Sequence, residues 1–214
     1  MKRMQPDKLL RIPGRWLSLA NAVLALACFG WLLGGCLPTG VQPFYRTSDV
    51  IQDPALLGTW KDKPDGTTRW TFSLGADKSY ALEIVGDDQR AVCVAHLFTL
   101  GKERFLDICP AKAALEQNLE KNAYALALIP GHVFVRVRAT EPALRMSCMG
   151  LDWLREELKK NPNALDHSIS EDRVVFTGST EDMQSFIKQH LSDSAAWNDM
   201  YDDGLIKVRK QAGN

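Results

Sequence analysis

Apolar and polar residues alternate along several short segments of this chain, and this pattern constrains the fold more than any other feature. Strict alternation over about 4–8 residues is typical of a strand with one buried face. Two neighbouring segments show it, with the apolar rows Trp70, Phe72, Leu74 and Tyr80, Leu82, Ile84. Turn-forming residues separate such segments at intervals of about 8–12 residues, which favours an antiparallel sandwich or barrel.

The second half of the chain adds helices to this strand pattern. Further strands are predicted over residues 90–99, 103–109, 133–138 and 144–148, whereas residues 111–128 have helical spacing. Two amphipathic helices follow, with a pair of short strands between them.

Local signals mark the ends of these two helices. Asp152 can cap the first, which Asn161-Pro162 ends, and Ser179 with Asp182 resembles a capping box at the second. The chain is therefore predicted to have an α+β fold, in which two C-terminal helices pack on an antiparallel β-sheet or small barrel.

The N-terminal residues have the organisation of a secretory signal. Residues 1–15 contain five basic side chains and one acidic side chain, and residues 16–33 contain no charge. A basic start followed by an apolar run is typical of a signal peptide. Because a membrane-spanning helix needs only about 20 residues, an uncleaved anchor helix is the alternative.

The apolar run ends in Leu33-Gly34-Gly35-Cys36, which resembles the lipobox of bacterial lipoproteins. The resemblance implies that residues 1–35 are removed and that the thiol of Cys36 carries diacylglycerol, with a fatty acid such as palmitate on the new amine. Several acyl chains hold a protein to a membrane far better than one does. In Gram-negative lipoproteins an Asp at the next position favours the inner membrane, so Leu37 implies the outer membrane, with the body facing the periplasm.

The predicted organisation of the remaining chain follows from this anchor. Residues 36–52 lack periodicity and are predicted to be a lipid-anchored tether. Residues 53–193 are predicted to form the β-rich globular domain, and residues 194–214 a polar tail.

Gly58-Thr59-Trp60 resembles the Gly-x-Trp sequence that opens the first strand of lipocalins and related small barrels. The resemblance implies a lipocalin-like barrel with Trp60 closing one end. Core packing and lining of a ligand cavity are both open interpretations for four inward aromatic residues, Trp60, Trp70, Phe72 and Tyr80. The chain from Asp152 onward is also similar to uncharacterised small lipoproteins of the bacterial envelope, which implies no activity.

Cys93, Cys109 and Cys148 follow the lipobox, and the predicted oxidising compartment permits disulfides. A three-residue loop at 100–102 would place Cys93 opposite Cys109 on adjacent strands. Such neighbours are close enough for a disulfide in a non-hydrogen-bonded pair, so this bridge is a candidate. Two separate buried thiols are the alternative.

No local motif assigns a reaction to the chain. Equal numbers of basic and acidic residues, 26 of each, argue against a dedicated nucleic-acid-binding protein. The four histidines lack zinc-site spacing, and neither a Gly-x-Ser-x-Gly elbow nor a phosphate-binding glycine-rich loop is present, so we predict no catalytic residue, metal or cofactor.

The sequence therefore predicts a membrane-anchored lipoprotein that acts as a non-enzymatic binding or envelope-assembly module. Its partners would be the membrane, through the lipid, and an envelope protein or an apolar ligand. A lipocalin-like carrier of an apolar small molecule is the first alternative, and an envelope hydrolase with dispersed catalytic residues is the second.

Overall fold

A closed barrel of antiparallel strands forms the centre of the computed structural model, which describes residues 37–86, 89–121, 130–170 and 173–208. The strands are β1 (Thr39–Gly40), β2 (Val50–Ile51), β3 (Gly58–Lys61), β4 (Arg69–Leu74), β5 (Tyr80–Gly86), β6 (Gln89–Leu100), β7 (Glu103–Pro110), β8 (His132–Ala139), β9 (Ala143–Met149), β10 (His167–Ile169), β11 (Val174–Phe176), β12 (Trp197–Asp199) and β13 (Leu205–Lys207). The α-helices are α1 (Lys112–Lys121), α2 (Leu151–Lys160) and α3 (Thr180–Gln189).

Eight of these strands close the barrel. Strands β3 to β9 pair with one another in chain order, and β13 completes the ring by pairing with both β9 and β3. The predicted α+β fold is confirmed, and its barrel form is consistent with the lipocalin-like interpretation. Of the predicted helix at 111–128, the first part is α1, and residues 122–129 lie outside the described residues.

Two hydrophobic cores lie on the two sides of the barrel wall. Inward-facing residues of the eight strands form the first core. The second lies between the outer face of β6 to β9 and the two later helices, and its outward-facing aromatic residues include Phe98, Phe105 and Phe134. The apolar faces of α2 and α3 form the opposite side of this core. Their buried apolar residues are Leu154, Leu158, Met183, Phe186 and Ile187.

The observed ends of α2 and α3 agree with the predicted ends except at the N-cap of α2. The Ser179–Asp182 capping box is present at the start of α3, and Asn161 ends α2. The residue that precedes α2 as its N-cap is Gly150, whereas Asp152 lies within the first turn. A carboxylate in the first turn still interacts favourably with the helix dipole.

Residues 37–52 belong to the folded body, which corrects the predicted tether. Strand β1 lies between β8 and β11, and β2 pairs with β6. Phe44 is fully buried, and its ring lies 4.5 Å from that of Phe134 and 6.1 Å from that of Phe176. Periodicity missed this segment because two-residue strands are too short to show alternation. The signal peptide and Cys36 lie outside the described residues.

The C-terminal segment also differs from the predicted polar tail. Strand β12 pairs with β9, and β13 closes the barrel. Ala196, Trp197 and Leu205 are buried in the two cores. The segment therefore holds the barrel together as far as residue 208, and residues 209–214 lie outside the described residues.

Candidate functional site

The four aromatic residues predicted to line a cavity lie in the barrel interior. Trp60, Trp70, Phe72 and Tyr80 are each at most 4% exposed. The ring centroids of Trp70 and Phe72 lie 6.3 Å apart, and those of Phe72 and Tyr80 lie 6.0 Å apart in an edge-to-face arrangement. The interior of an eight-stranded barrel is just wide enough for side chains or one small ligand. The mutual packing of these rings favours their interpretation as core residues.

Trp60, the tryptophan of the Gly-x-Trp sequence, is buried in the barrel interior and contacts the turn that precedes β3. Its indole N–H donates a hydrogen bond of 2.8 Å to the carbonyl of Leu56, in the 3-10 turn Pro54–Leu56. The Lys207 ammonium lies 4.9 Å from the centre of the Trp60 ring and donates to the carbonyl of Ala55 at 2.8 Å. The last barrel strand therefore ties this turn to the tryptophan beneath it.

Cys93 and Cys109 lie on opposite faces of the barrel wall as free thiols. The loop between β6 and β7 has two residues, Gly101-Lys102, so Cys93 pairs with Pro110 and Cys109 pairs with Val94. The predicted register is wrong by one residue. Because side chains alternate between faces, this shift separates the two sulfur atoms, and the predicted disulfide is corrected accordingly.

A carboxylate, a thiol and an imidazole meet on the outer face of the barrel. One ligand atom each from Asp107, Cys109 and His132 lies within 4.8 Å of the other two. His132 Nδ1 lies 2.8 Å from Asp107 Oδ1, and the backbone N–H of Phe44 donates to Asp107 Oδ2 at 2.8 Å. The carboxylate is fully buried, whereas Cys109 and His132 are partly exposed. We call these three residues the Asp-Cys-His cluster.

Strands β7 and β8 set the geometry of the Asp-Cys-His cluster. Ile108 pairs with Val133, so the next residue of β7, Cys109, and the preceding residue of β8, His132, are opposed on the other face. Asp107 shares that face because it lies two residues from Cys109. Paired strands therefore supply all three side chains, and the positions of their Cα atoms are fixed by the barrel.

His96 extends the cluster onto β6, where it pairs with Asp107. The ring of Tyr45 stacks on this imidazole with centroids 4.5 Å apart, and the Tyr45 hydroxyl lies 3.4 Å from Nε2. His96 Nδ1 is buried and has no hydrogen-bond partner among the described residues. Burial lowers the pKa of His96; Asp107 acts in the opposite direction, and His132 lowers the pKa further.

The thiol of Cys109 is not activated as a nucleophile. Burial raises its pKa, and the carboxylate of Asp107 raises the pKa further. The thiolate is the reactive form of cysteine, and a raised pKa disfavours it. Thiol, imidazole and carboxylate are the components of some hydrolase sites, but the surroundings of Cys109 raise its pKa and so do not activate it for nucleophilic catalysis.

Sequence reasoning missed this cluster because its members come from separate strands. The expectation of no metal site rested on local histidine spacing, which cannot detect ligands that only the fold brings together. A usable signal was the acidic residue in the apolar run Phe105-Leu106-Asp107-Ile108. A buried carboxylate requires charged or hydrogen-bonding partners, so a carboxylate in a buried strand indicates a polar site.

A second surface feature is an open groove of about 560 Å³ at the C-terminal ends of α2 and α3. Glu157, Gln189, His190 and residues 160–164 line it. Most of these side chains are polar. The groove therefore differs in character from the apolar barrel interior.

Comparison with known proteins identified no matching protein family, curated protein or solved structure. Among the described residues, no helix is both long enough and apolar enough to cross a membrane.

Proposed function

We propose that this chain is a lipid-anchored protein of the bacterial envelope whose barrel binds, or helps to assemble, another envelope protein. The observation that carries the proposal is the sequence Leu33-Gly34-Gly35-Cys36 at the end of an uncharged run that follows a basic N-terminus. Lipoprotein processing requires a basic N-terminus, an uncharged apolar run and a lipobox, and the chain has these three segments in that order.

The folded body begins almost directly after the proposed lipid attachment site. Only Leu37 and Pro38 lie between Cys36 and β1, and β1 is held between β8 and β11. An extended chain covers at most about 3.6 Å per residue, so this linker spans roughly 10 Å. A lipid on Cys36 would therefore hold the barrel close to the bilayer, where it could contact partners at the membrane surface.

The lipid would be the main attachment to the membrane. Removal of residues 1–35 takes away five basic residues and one acidic residue, which leaves a body with a formal net charge of −4. Anionic membrane surfaces attract basic segments and not acidic ones. Leu37 at the position after the lipid supports an outer-membrane location with the body in the periplasm.

The packed barrel interior favours a protein partner over an apolar small-molecule ligand. The aromatic residues Trp60, Phe72 and Tyr80 fill space that a carrier of this size would use for its ligand. The outer surface, with its polar groove at the ends of α2 and α3, is the region left for recognition. Burial and Asp107 raise the pKa of the Cys109 thiol, which disfavours the thiolate that a hydrolase at this cluster would need.

Acyl attachment is tested by comparing Cys36→Ala with the control Cys28→Ala, whose cysteine lies in the same leader region. The wild type and Cys28→Ala should yield a membrane-bound mature protein whose mass includes diacylglycerol and a fatty acid. Cys36→Ala should keep its leader and lack the acyl mass. Membrane-bound, correctly processed Cys36→Ala together with an unacylated wild type would refute the proposed anchor.

Partner binding is tested separately on the acylated protein extracted from membranes. Cross-linking in intact cells should give a discrete protein adduct, and organic extraction of the purified protein should release no stoichiometric apolar molecule. One apolar molecule per barrel, with no cross-linked protein, would instead support the carrier alternative.

A further inference from the structure

We propose that Asp107, Cys109 and His132 form a binding site for a divalent transition-metal ion of the zinc class. Carboxylate oxygen, thiolate sulfur and imidazole nitrogen are the three ligand types that Zn²⁺ takes from proteins. The presence of both sulfur and nitrogen ligands selects against Mg²⁺ and Ca²⁺, which prefer oxygen ligands. The proposal is independent of the lipid anchor and of any protein partner.

The spacing of the three ligand atoms suits a tetrahedral ion after a small adjustment. Zn²⁺ lies about 2.0–2.3 Å from its ligands, which separates neighbouring ligand atoms by about 3.3–3.8 Å. The three ligand atoms here lie within 4.8 Å of one another. Asp107 Oδ1 and His132 Nδ1, which lie 2.8 Å apart, would have to separate by about 0.5 Å, while the longer separations would shorten by up to about 1 Å. Rotation of the partly exposed Cys109 and His132 side chains can provide both changes.

The buried member of the set is already held in place. Asp107 accepts the backbone N–H of Phe44 through Oδ2, while Oδ1 faces His132 Nδ1. The bond from Phe44 comes from outside the ligand set, and hydrogen bonds of this kind orient metal ligands and tune their affinity. Partial exposure of Cys109 and His132 provides a path from solvent, so an ion can reach the carboxylate without opening the barrel.

The imidazole of His96 provides an independent indication of a polar occupant. It faces Asp107 across β6 and β7, and its Nδ1 is buried without a hydrogen-bond partner among the described residues. Buried polar atoms are nearly always paired in native proteins, so an unpaired nitrogen on the residue that pairs with Asp107 requires an explanation. A bound ion with a water in its fourth position would supply that partner.

Cobalt provides the first test, because a bond between thiolate and Co²⁺ produces a charge-transfer absorption band. The full chain is prepared with Cys28→Ala and Cys36→Ala, which removes the cysteines of the leader and of the proposed lipid attachment site, and is then freed of metal with a chelator. Titration with Co²⁺ should give this band at one equivalent, and Zn²⁺ should displace it, whereas Mg²⁺ should not. A titration without a thiolate band would overturn the proposal.

Ligand variants identify the residues responsible. Removal of residues that only support a metal ligand weakens binding about 10–100-fold, so Cys109→Ser or His132→Gln should weaken Zn²⁺ binding by at least about 100-fold. Cys148→Ser and His190→Gln are matched controls outside the cluster and should bind as the parent does. Equal loss in Cys148→Ser would assign the ion to another site and overturn the proposal.

A third test keeps Asp107, Cys109 and His132 unchanged, so its result does not depend on whether a ligand variant folds. Iodoacetamide labelling followed by peptide mass analysis compares Cys109 with Cys148 in the presence and absence of Zn²⁺. Bound metal should slow labelling of Cys109 at least about 10-fold and leave Cys148 unchanged. Equal labelling rates of Cys109 with and without Zn²⁺ would contradict coordination by its sulfur.

Discussion

Substitution of Phe44 by Ala distinguishes a folded N-terminal segment from a tether. Phe44 is fully buried, and its ring packs on Phe134 and Phe176 in the core between the barrel and the helices. Truncation of a buried Phe to Ala lowers the free energy of unfolding by about 3–5 kcal/mol, depending on how far the surroundings collapse into the cavity. In a flexible tether the same substitution would have almost no effect on stability.

The backbone on both sides of Phe44 restricts that collapse. Its N–H donates to Asp107, and its carbonyl accepts a hydrogen bond of 2.9 Å from the side chain of Gln184. Gly40 lies so close to the ring that an added Cβ would be 2.8 Å from Phe44 Cζ, so the space is already tightly filled. Because the backbone is held and cannot follow the cavity, we expect a loss of about 4 kcal/mol.

Urea unfolding monitored by tryptophan fluorescence measures this change. Leu74→Ala is the control, because Leu74 is 63% exposed and its truncation should cost less than about 0.5 kcal/mol. The slope of the free energy of unfolding against urea concentration should be the same in both variants as in the wild type, as expected when only stability changes. A loss below about 1 kcal/mol for Phe44→Ala would refute the packed position of residues 37–52.

Further predictions concern the barrel and the helix start. Burial raises the pKa of Cys93 from 9.0 to about 11, so near pH 8 only about one thiol in a thousand is ionised and iodoacetamide should label it only after unfolding. The stability that this shift contributes is complete below the ordinary pKa and is lost as the pH rises through about 11, which an alkaline unfolding series can follow. Leu205→Ala removes a fully buried side chain from the closing strand and should cost about 2–4 kcal/mol in urea unfolding, whereas Lys207→Ala should cost about 1 kcal/mol or less. Ser179→Ala removes the cap of α3 and should lower its stability by about 1 kcal/mol, with Ser185→Ala as a control for serine loss within the helix.

Long periodic segments could be predicted from the sequence, and short ones could not. The alternation of Trp70, Phe72 and Leu74 corresponds to β4, in which the first two residues face the interior and Leu74 is exposed at its end. The capping box at Ser179 locates α3 because the cap depends only on residues within one turn. The alternation in β4 and the capping box of α3 each involve neighbouring residues only, so they can be recognised without knowledge of tertiary contacts.

The strand that closes the barrel could not be predicted, because β13 has only three residues. Its sequence, Leu205–Lys207, is too short to show a period, and it follows a turn rich in acidic residues that resembles an exposed tail. Pairing of β13 with β3 joins residues about 145 positions apart in the chain, such as Lys61 and Ile206. Strand β13 pairs with the free backbone N–H and C=O groups along the edges of β3 and β9. Those two edges face each other only in the folded barrel.

The hairpin between β6 and β7 explains both why the predicted disulfide is wrong and why the Asp-Cys-His cluster was missed. A two-residue loop with Gly101 at a φ of 67° replaces the predicted three-residue loop, and such loops favour glycine at the position of positive φ. The longer loop would have set Cys109 beside Cys93 and Asp107 beside Ala95. The shorter loop instead brings His96 next to Asp107 and leaves Cys109 on the outer face with His132. One residue in a turn thus decides whether this sulfur is available for a disulfide or for a metal ion, because every side chain of a strand changes face when its register shifts by one.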